Sequence, residues 1–172
     1  MGMFKKFLLN LPEVKGPEQK HLAFKEKLKW TLICLVAFFI LSNIPLYGLD
    51  PSRTIEFEQL ALILAASIGT LMTLGIGPIV TASIIMQLLN GSGILKFDLT
   101  STEGKKLFQG SQKFAAIIMI FVESLIMVML GGLVPQTGTS SLVIVVQLIL
   151  GGFLVLGMDD VIQKWGFGSG IS

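Results

Sequence analysis

Three features of the sequence predict an all-α, polytopic membrane protein. Hydrophobic residues make up 52% of the chain and charged residues 14%, where an average soluble domain carries about 25% charged residues. Residues 30–49 and 140–158 are uncharged, and residues 114–135 hold one charge, Glu123; each run is about the 20 residues that a helix needs to cross a bilayer. Residues 59–95 carry no charge either, yet an unbroken helix of that length would be roughly 50 Å long against a hydrocarbon core of about 30 Å. Gly75, Gly77 and Pro78 interrupt that run near its middle. Glycine brings no side chain to hold a helix, and proline removes an amide donor and clashes with the preceding turn, so the break falls just before Pro78. The expectation is four transmembrane helices plus one short re-entrant helix.

Residues 1–29 are basic and partly amphipathic. Phe4, Phe7 and Leu8 share a helical face with Lys5 and Lys6 opposite, and Phe24 and Leu28 repeat the i, i+4 spacing. Pro12 and Gly16-Pro17 separate two pieces that either lie in the headgroup layer or form a solvated basic arm. His21 has no partner at ligand spacing and reads as a surface residue. Residues 30–49 form the first expected span. It starts too far into the chain, and is too long, for a cleaved secretory signal. It contains Cys34, the sole cysteine, so no disulfide or cysteine metal site can form within the chain.

Residues 50–74 are expected to form an external loop and short helix. Asp50-Pro51-Ser52 opens a turn, and residues 56–67 follow as a helix, apolar at Leu60, Ile63 and Leu64, that is too short to span. The second span is 75–90, and 91–112 is a polar loop with Gly91-Ser92-Gly93 and Glu103-Gly104-Lys105-Lys106. The third span is 113–134, the turn 135–140, and the fourth span 141–158. Residues 159–172 end in a glycine-rich stretch that reads as the lead into a further helix, so the chain is expected to be the N-terminal part of a longer protein.

Lysines set the orientation. Seven precede the first span, and Lys96, Lys105, Lys106 and Lys113 lie between the second and third, whereas only Arg53 lies between the first and second. The positive-inside rule places the N-terminus and the 91–112 loop in the cytoplasm.

No nucleotide-binding loop, catalytic carboxylate pair or histidine cluster is present, so neither an enzyme nor a cofactor is expected; Gly166 to Gly170 follows no strand and is a weak phosphate-loop candidate. Two features point instead to conduction or transport. Non-helical backbone at membrane depth must be buried in protein or line a cavity, and a mid-span carboxylate such as Glu123 usually faces a cavity or a polar partner. On the helix after the break, Ile76, Val80 and Gln87 lie on one stripe, with Thr81, Ile85 and Leu88 on the neighbouring one.

The sequence then becomes recognisable. Phe24-Lys25-Glu26-Lys27-Leu28-Lys29-Trp30-Thr31, the run Ile68-Gly69-Thr70-Leu71-Met72-Thr73-Leu74-Gly75-Ile76-Gly77-Pro78-Ile79-Val80-Thr81, Leu107-Phe108-Gln109-Gly110-Ser111-Gln112-Lys113 and Gly168-Ser169-Gly170-Ile171-Ser172 closely resemble the SecY family of protein-conducting channel subunits, archaeal type. The resemblance runs in order from about residue 24 to 172. It implies a ten-helix fold, of which this chain supplies the first four helices. It implies a plug at 56–67, with Glu56, Phe57, Leu60, Ile63, Leu64 and Ser67. Ile76 and Val80 match the apolar pore constriction, and Thr81, Ile85, Leu88 and Glu123 fall on the lateral gate formed by the second and third helices.

The implied function is passage of unfolded secretory polypeptides across the cell membrane and release of membrane helices sideways. Implied partners are SecE, a small third subunit of SecG or Sec-beta type, the ribosome, signal sequences and nascent chains, and lipid, with no nucleic-acid contact from this fragment. Two other readings follow from the residues alone: a secondary transporter, since broken helices and a mid-span carboxylate also suit substrate sites, and a structural helix-assembly subunit, suggested by Gly131-Gly132 and Gly151-Gly152.

Overall fold

The computed structural model describes residues 22–50 and 68–168 together with Lys6, Leu8, Asn10, Leu11 and residues 14–18; the short helix expected at 56–67 lies outside the described residues. Within them the chain forms α1 (Phe24–Ser42), α2 (Gly77–Gly91), α3 (Thr102–Met129) and α4 (Ser141–Trp165). α2 packs on α3, α3 on α4, and α4 on α1, so the spatial order along the bundle is α1, α4, α3, α2. α3 and α4 are long and apolar enough to cross a membrane, whereas α2 is apolar but only 15 residues long.

Helix ends follow local chemistry rather than the limits of the apolar runs. α1 takes in Lys25, Glu26, Lys27 and Lys29 and stops at Ser42, although the uncharged run continues to Leu49. It stops because Ser42 Oγ and Asn43 Nδ2 both donate to the Phe39 carbonyl, at 2.8 and 2.7 Å, and Pro45 has no amide to continue the ladder. α3 starts well before residue 113, at a cap where Ser101 Oγ accepts from the Gly104 amide at 3.0 Å. The turn before it is tied by Asp98, whose carboxyl lies below its usual range because the Thr100 hydroxyl and amide both donate to it. α4 is capped by Ser140, whose Oγ accepts from Leu142 N at 3.3 Å, and runs on to Trp165.

The break expected before Pro78 is present, and it is a structured segment. Residues 68–76 form consecutive turns, Gly75 has φ of +51°, and α2 begins at Gly77 with Pro78 in its first turn, where a missing amide costs nothing. The polar backbone of the segment is satisfied from within. Thr73 Oγ1 accepts from the Gly69 and Thr70 amides at 2.9 and 3.0 Å and donates to the Thr70 carbonyl at 2.6 Å, while Thr70 Oγ1 accepts from Met72 N at 3.2 Å. The loop after α1 supplies further partners: Leu46 N donates to Gly69 O at 2.8 Å and Leu71 N to Ile44 O at 3.1 Å. That loop is held in turn by the α3–α4 turn, through Gln136 N to Gly48 O at 2.8 Å and Asp50 N to Val134 O at 3.2 Å. Gln147 of α4 closes the set, accepting from Tyr47 N at 2.8 Å and donating to Tyr47 O at 3.0 Å.

Two apolar clusters hold these parts together. Leu46, Leu133, Ile144 and Leu148 bury under the loop after α1 and the α3–α4 turn, and Met72, Ile79, Ala82, Ala116, Ile120, Val155 and Leu156 join the broken segment to α2, α3 and α4. Close approach depends on two glycines of α4. A Cβ on Gly151 would lie 1.9 Å from the Leu71 carbonyl oxygen, and one on Gly152 would lie 2.7 Å from Ile120 Cγ2.

At the opposite end a polar knot links three helices: Lys113 pairs with Asp160, Gln112 donates to Ser83 Oγ, and Gln163 donates to Asp159 at 2.6 Å. Described residues of the N-terminal arm reach this end of the bundle. Leu8 is buried with its carbonyl against Gly110, Lys164 Nζ donates to Val14 O at 2.7 Å, and Trp165 Nε1 to Lys15 O at 2.8 Å.

Gly151→Ala places a methyl group on backbone that cannot rotate away. We expect it to destabilise the protein by about 1–3 kcal/mol, read as a lowered unfolding midpoint in detergent. Gly157→Ala, which meets nothing within 4 Å, serves as the comparison and should match the parent or gain up to about 1 kcal/mol from helix propensity.

Candidate functional site

The residues that the sequence singles out converge on α2 and the break that precedes it. Pro78, Ile79, Ala82 and Met86 are buried toward the bundle. The remaining faces of α2 carry the candidates. Ile76 is the residue preceding α2, in αR backbone at φ −87°, and it is 47% exposed. Its carbonyl accepts from Val80 N at 3.0 Å, so Ile76 and Val80 stand one turn apart. Val80, Ser83, Ile84 and Gln87 line one wall of a cleft of about 560 Å³, whose other walls include Gln109, Gln112 and Lys113 of α3 and Asp159, Asp160 and Gln163 of α4. Thus the mouth near the break is apolar and the end near the N-terminal arm is polar.

Thr81 and Glu123 are brought together. The Thr81 hydroxyl stands beside the Glu123 carboxyl across the α2–α3 contact, and Glu123 Oε2 lies 3.4 Å from where a Cβ on Gly77 would be, so the carboxyl rests against the first turn of α2. A mid-helix carboxyl that would be costly in hydrocarbon thus faces a hydroxyl on the adjacent helix. Ile85 and Leu88 lie further along α2, both exposed, with Leu88 at 66%. Exposed apolar side chains in line with Ile76 and Thr81 leave that face of α2 without a partner among the described residues. Glu56, Phe57, Leu60, Ile63, Leu64 and Ser67 lie outside the described residues.

Sequence reasoning missed the groups that hold this face in place. Thr70 and Thr73 stand on either side of the turn in an uncharged run, and a hydroxyl pair flanked by glycines was the available signal. Gln147 is the single polar side chain in residues 142–158, an isolated amide in an otherwise apolar span. The Lys113–Asp160 pair joins residues distant in sequence, and only the adjacent acidic residues after an apolar run hinted at it. Among the described residues, no three His, Cys, Asp or Glu side chains gather to hold a metal ion.

Comparison with known proteins places this geometry in a family. The SecY family model matches residues 70–172, and the model described as the plug domain of Sec61p matches residues 36–69. The protein translocase subunit SecY of Methanothermobacter thermautotrophicus is 50% identical over 161 residues, covering 94% of this chain and 35% of that protein. Among solved structures, one described as the structure of a protein conducting channel aligns with a TM-score of 0.80 at 44% identity, covering 96% of this chain and 38% of the other. Sec61 in the canine ribosome-channel complex from the endoplasmic reticulum aligns with the same score and identity. This chain spans about a third of the length of the relatives that it matches. With one family model covering residues 70–172 and the same helical arrangement recurring in solved relatives, the chain belongs to the SecY family.

Proposed function

We propose that this chain contributes the first four membrane helices to the channel subunit of a protein translocase, a pore that passes unfolded polypeptide across the membrane and opens sideways to release membrane helices. The observation that carries the proposal is the broken helix: a non-helical segment with its own hydrogen-bond partners delivers Ile76, exposed at the start of α2, and Val80, half-buried one turn on at the wall of the cleft. A relative described as a protein-conducting channel has the same arrangement of helices. The transporter alternative gains no support from the family.

In this reading Ile76 and Val80 form part of an apolar constriction. Such a ring blocks ions by dewetting and yields when a chain is pushed through. Residues 56–67 act as the plug, in keeping with the family-model match over 36–69. Thr81, Ile85, Leu88 and Glu123 line the lateral gate, where the Thr81 hydroxyl and the Glu123 carboxyl face each other in the closed arrangement. The first span is made by α1 with the uncharged loop after it, and the second by α2 with the turns before it. The excess of lysine in the N-terminal arm and the 91–112 loop supports a cytoplasmic N-terminus in the cell membrane. SecE, a small third subunit, nascent chains and the ribosome are the expected partners; a relative has been seen in a ribosome-channel complex.

Exchanging both Ile76 and Val80 for Ser in the full-length channel should hydrate the constriction. Single-channel recordings of the reconstituted complex should show increased resting ion conductance, with Ile84→Ala/Ile85→Ala near the parent. A seal as tight as the parent's in the Ser double variant would remove these residues from the pore.

Glu123→Leu should loosen the gate by breaking a pair worth about 0.6–1.7 kcal/mol. Export of a precursor whose signal sequence has been made marginally hydrophobic should rise threefold or more in cells carrying the variant full-length protein, and Thr81→Val should act in the same direction. Unchanged export in both would make the pair a packing contact without a gating role.

A further inference from the structure

The outer loops raise a question that the pore and gate assignments leave open: what fixes Ile76. It precedes α2 and has a single described hydrogen bond to that helix, through its carbonyl, so its position depends on the turns before it. Those turns are stitched to the loop after α1 by Leu46 N to Gly69 O and Leu71 N to Ile44 O. One residue further along that loop, both polar backbone groups of Tyr47 are taken by a side chain from a different helix. Gln147 Oε1 accepts the Tyr47 amide and Gln147 Nε2 donates to the Tyr47 carbonyl, at 2.8 and 3.0 Å, with Nε2 also reaching Val143 O at 3.2 Å.

A primary amide is the side chain that can reproduce the donor and acceptor of a backbone edge at one point. Gln147 lies about two turns into α4, in a run with no other polar side chain, where an unpaired amide is costly in lipid. Its two bonds to Tyr47 remove that cost and attach the loop to α4. Beside the clamp, Leu46 is buried against Ile144 and Leu148, the residues that flank Gln147 on the same helix. One turn further on, Gly151 admits the Leu71 carbonyl against α4. The 44–47 loop and the 68–74 turns are therefore both registered on a single stretch of α4.

We propose that Gln147 is the positioning residue of the constriction: by clamping the Tyr47 backbone to α4 it fixes the turns that present Ile76, and so sets how tightly the resting channel seals. The inference rests on the channel reading given above, and adds to it a residue outside the pore, plug and gate.

The test uses three forms of the full-length channel complex reconstituted in lipid: the parent, Gln147→Met and Gln147→Glu. Methionine keeps length and apolarity but cannot make either bond. A protonated carboxyl offers one donor and one acceptor, as the amide does, whereas the ionised form only accepts. Resting conductance should be raised in Gln147→Met at every pH. In Gln147→Glu it should match the parent in acid and rise as the pH is increased. Among the described residues the titratable groups on the elements packed here are Tyr47 and Asp50 on the loop and Glu123 deeper on α3; all are common to the three forms, so the parent measured over the same range gives the baseline. A loss of packing alone would not be reversed by acid.

Exchange of the Tyr47 amide with deuterated solvent supplies a readout that does not depend on the channel reading. It should quicken severalfold, up to about tenfold, in Gln147→Met, matching the loss of one hydrogen bond. Conductance of Gln147→Met equal to the parent's, or a Gln147→Glu variant with no pH dependence beyond the parent's, would overturn the proposal. Should Tyr47 exchange quicken while the Ile76/Val80 Ser variant conducts no more than the parent, the clamp stands as structure and the channel reading fails.

Discussion

Backbone that leaves the helix inside an apolar bundle must find a partner for every amide and carbonyl, because lipid offers none. The rest of this structure is arranged around that requirement. Residues 68–76 depart from helical geometry so that α2 can start at Gly77, and the groups exposed by the departure are met by Thr70, Thr73 and the loop after α1. The loop has the same difficulty and is met by Gln147 and the α3–α4 turn. Each irregular piece is thus the partner of another. The last of them rests on α4, whose Gly151 lets backbone lie directly on backbone.

Polar chemistry is segregated accordingly. At the end that carries the break it is almost entirely backbone with short hydroxyls and one amide. At the opposite end it is ionic: Lys113 with Asp160, Gln163 with Asp159, and the N-terminal arm held by Lys164 and Trp165. Between the two ends a mid-helix carboxyl, Glu123, faces the Thr81 hydroxyl across the α2–α3 contact. α2 is therefore pinned on its bundle side and at its N-terminal end. Its other side carries Ile76, Ile84, Ile85 and Leu88 in the open. That division suits a helix required to keep its position while offering an apolar surface to whatever passes or packs beside it.

Much of this was legible in the sequence because the strongest signals were local. Gly75, Gly77 and Pro78 specify a break through backbone physics alone, and Glu123 stands out through the cost of its charge. Helix limits were less legible. An apolar run reports what can sit in lipid, while a helix ends where side chains cap it, so α1 stops at Ser42 with Asn43 bonding back although the uncharged run continues. The long-range partners were invisible: nothing near Gln147 announces Tyr47, and nothing near Thr73 shows that its hydroxyl serves two amides. The assignment of Ile76, Val80, Thr81 and Glu123 to pore and gate came through family resemblance, since by spacing alone they are ordinary packing positions with one polar pair.

The central claim is that the break before α2 is a fixed, internally bonded element of the membrane domain. Hydrogen–deuterium exchange of the parent full-length protein in lipid nanodiscs, resolved over residues 44–47 and 69–77, tests it most directly. Amides of Leu46, Gly69, Thr70, Leu71 and Thr73, each with an acceptor in the structure, should exchange as slowly as those in the middle of α3. Exchange of these amides at the rate of an open loop, while α3 stays protected, would contradict the account.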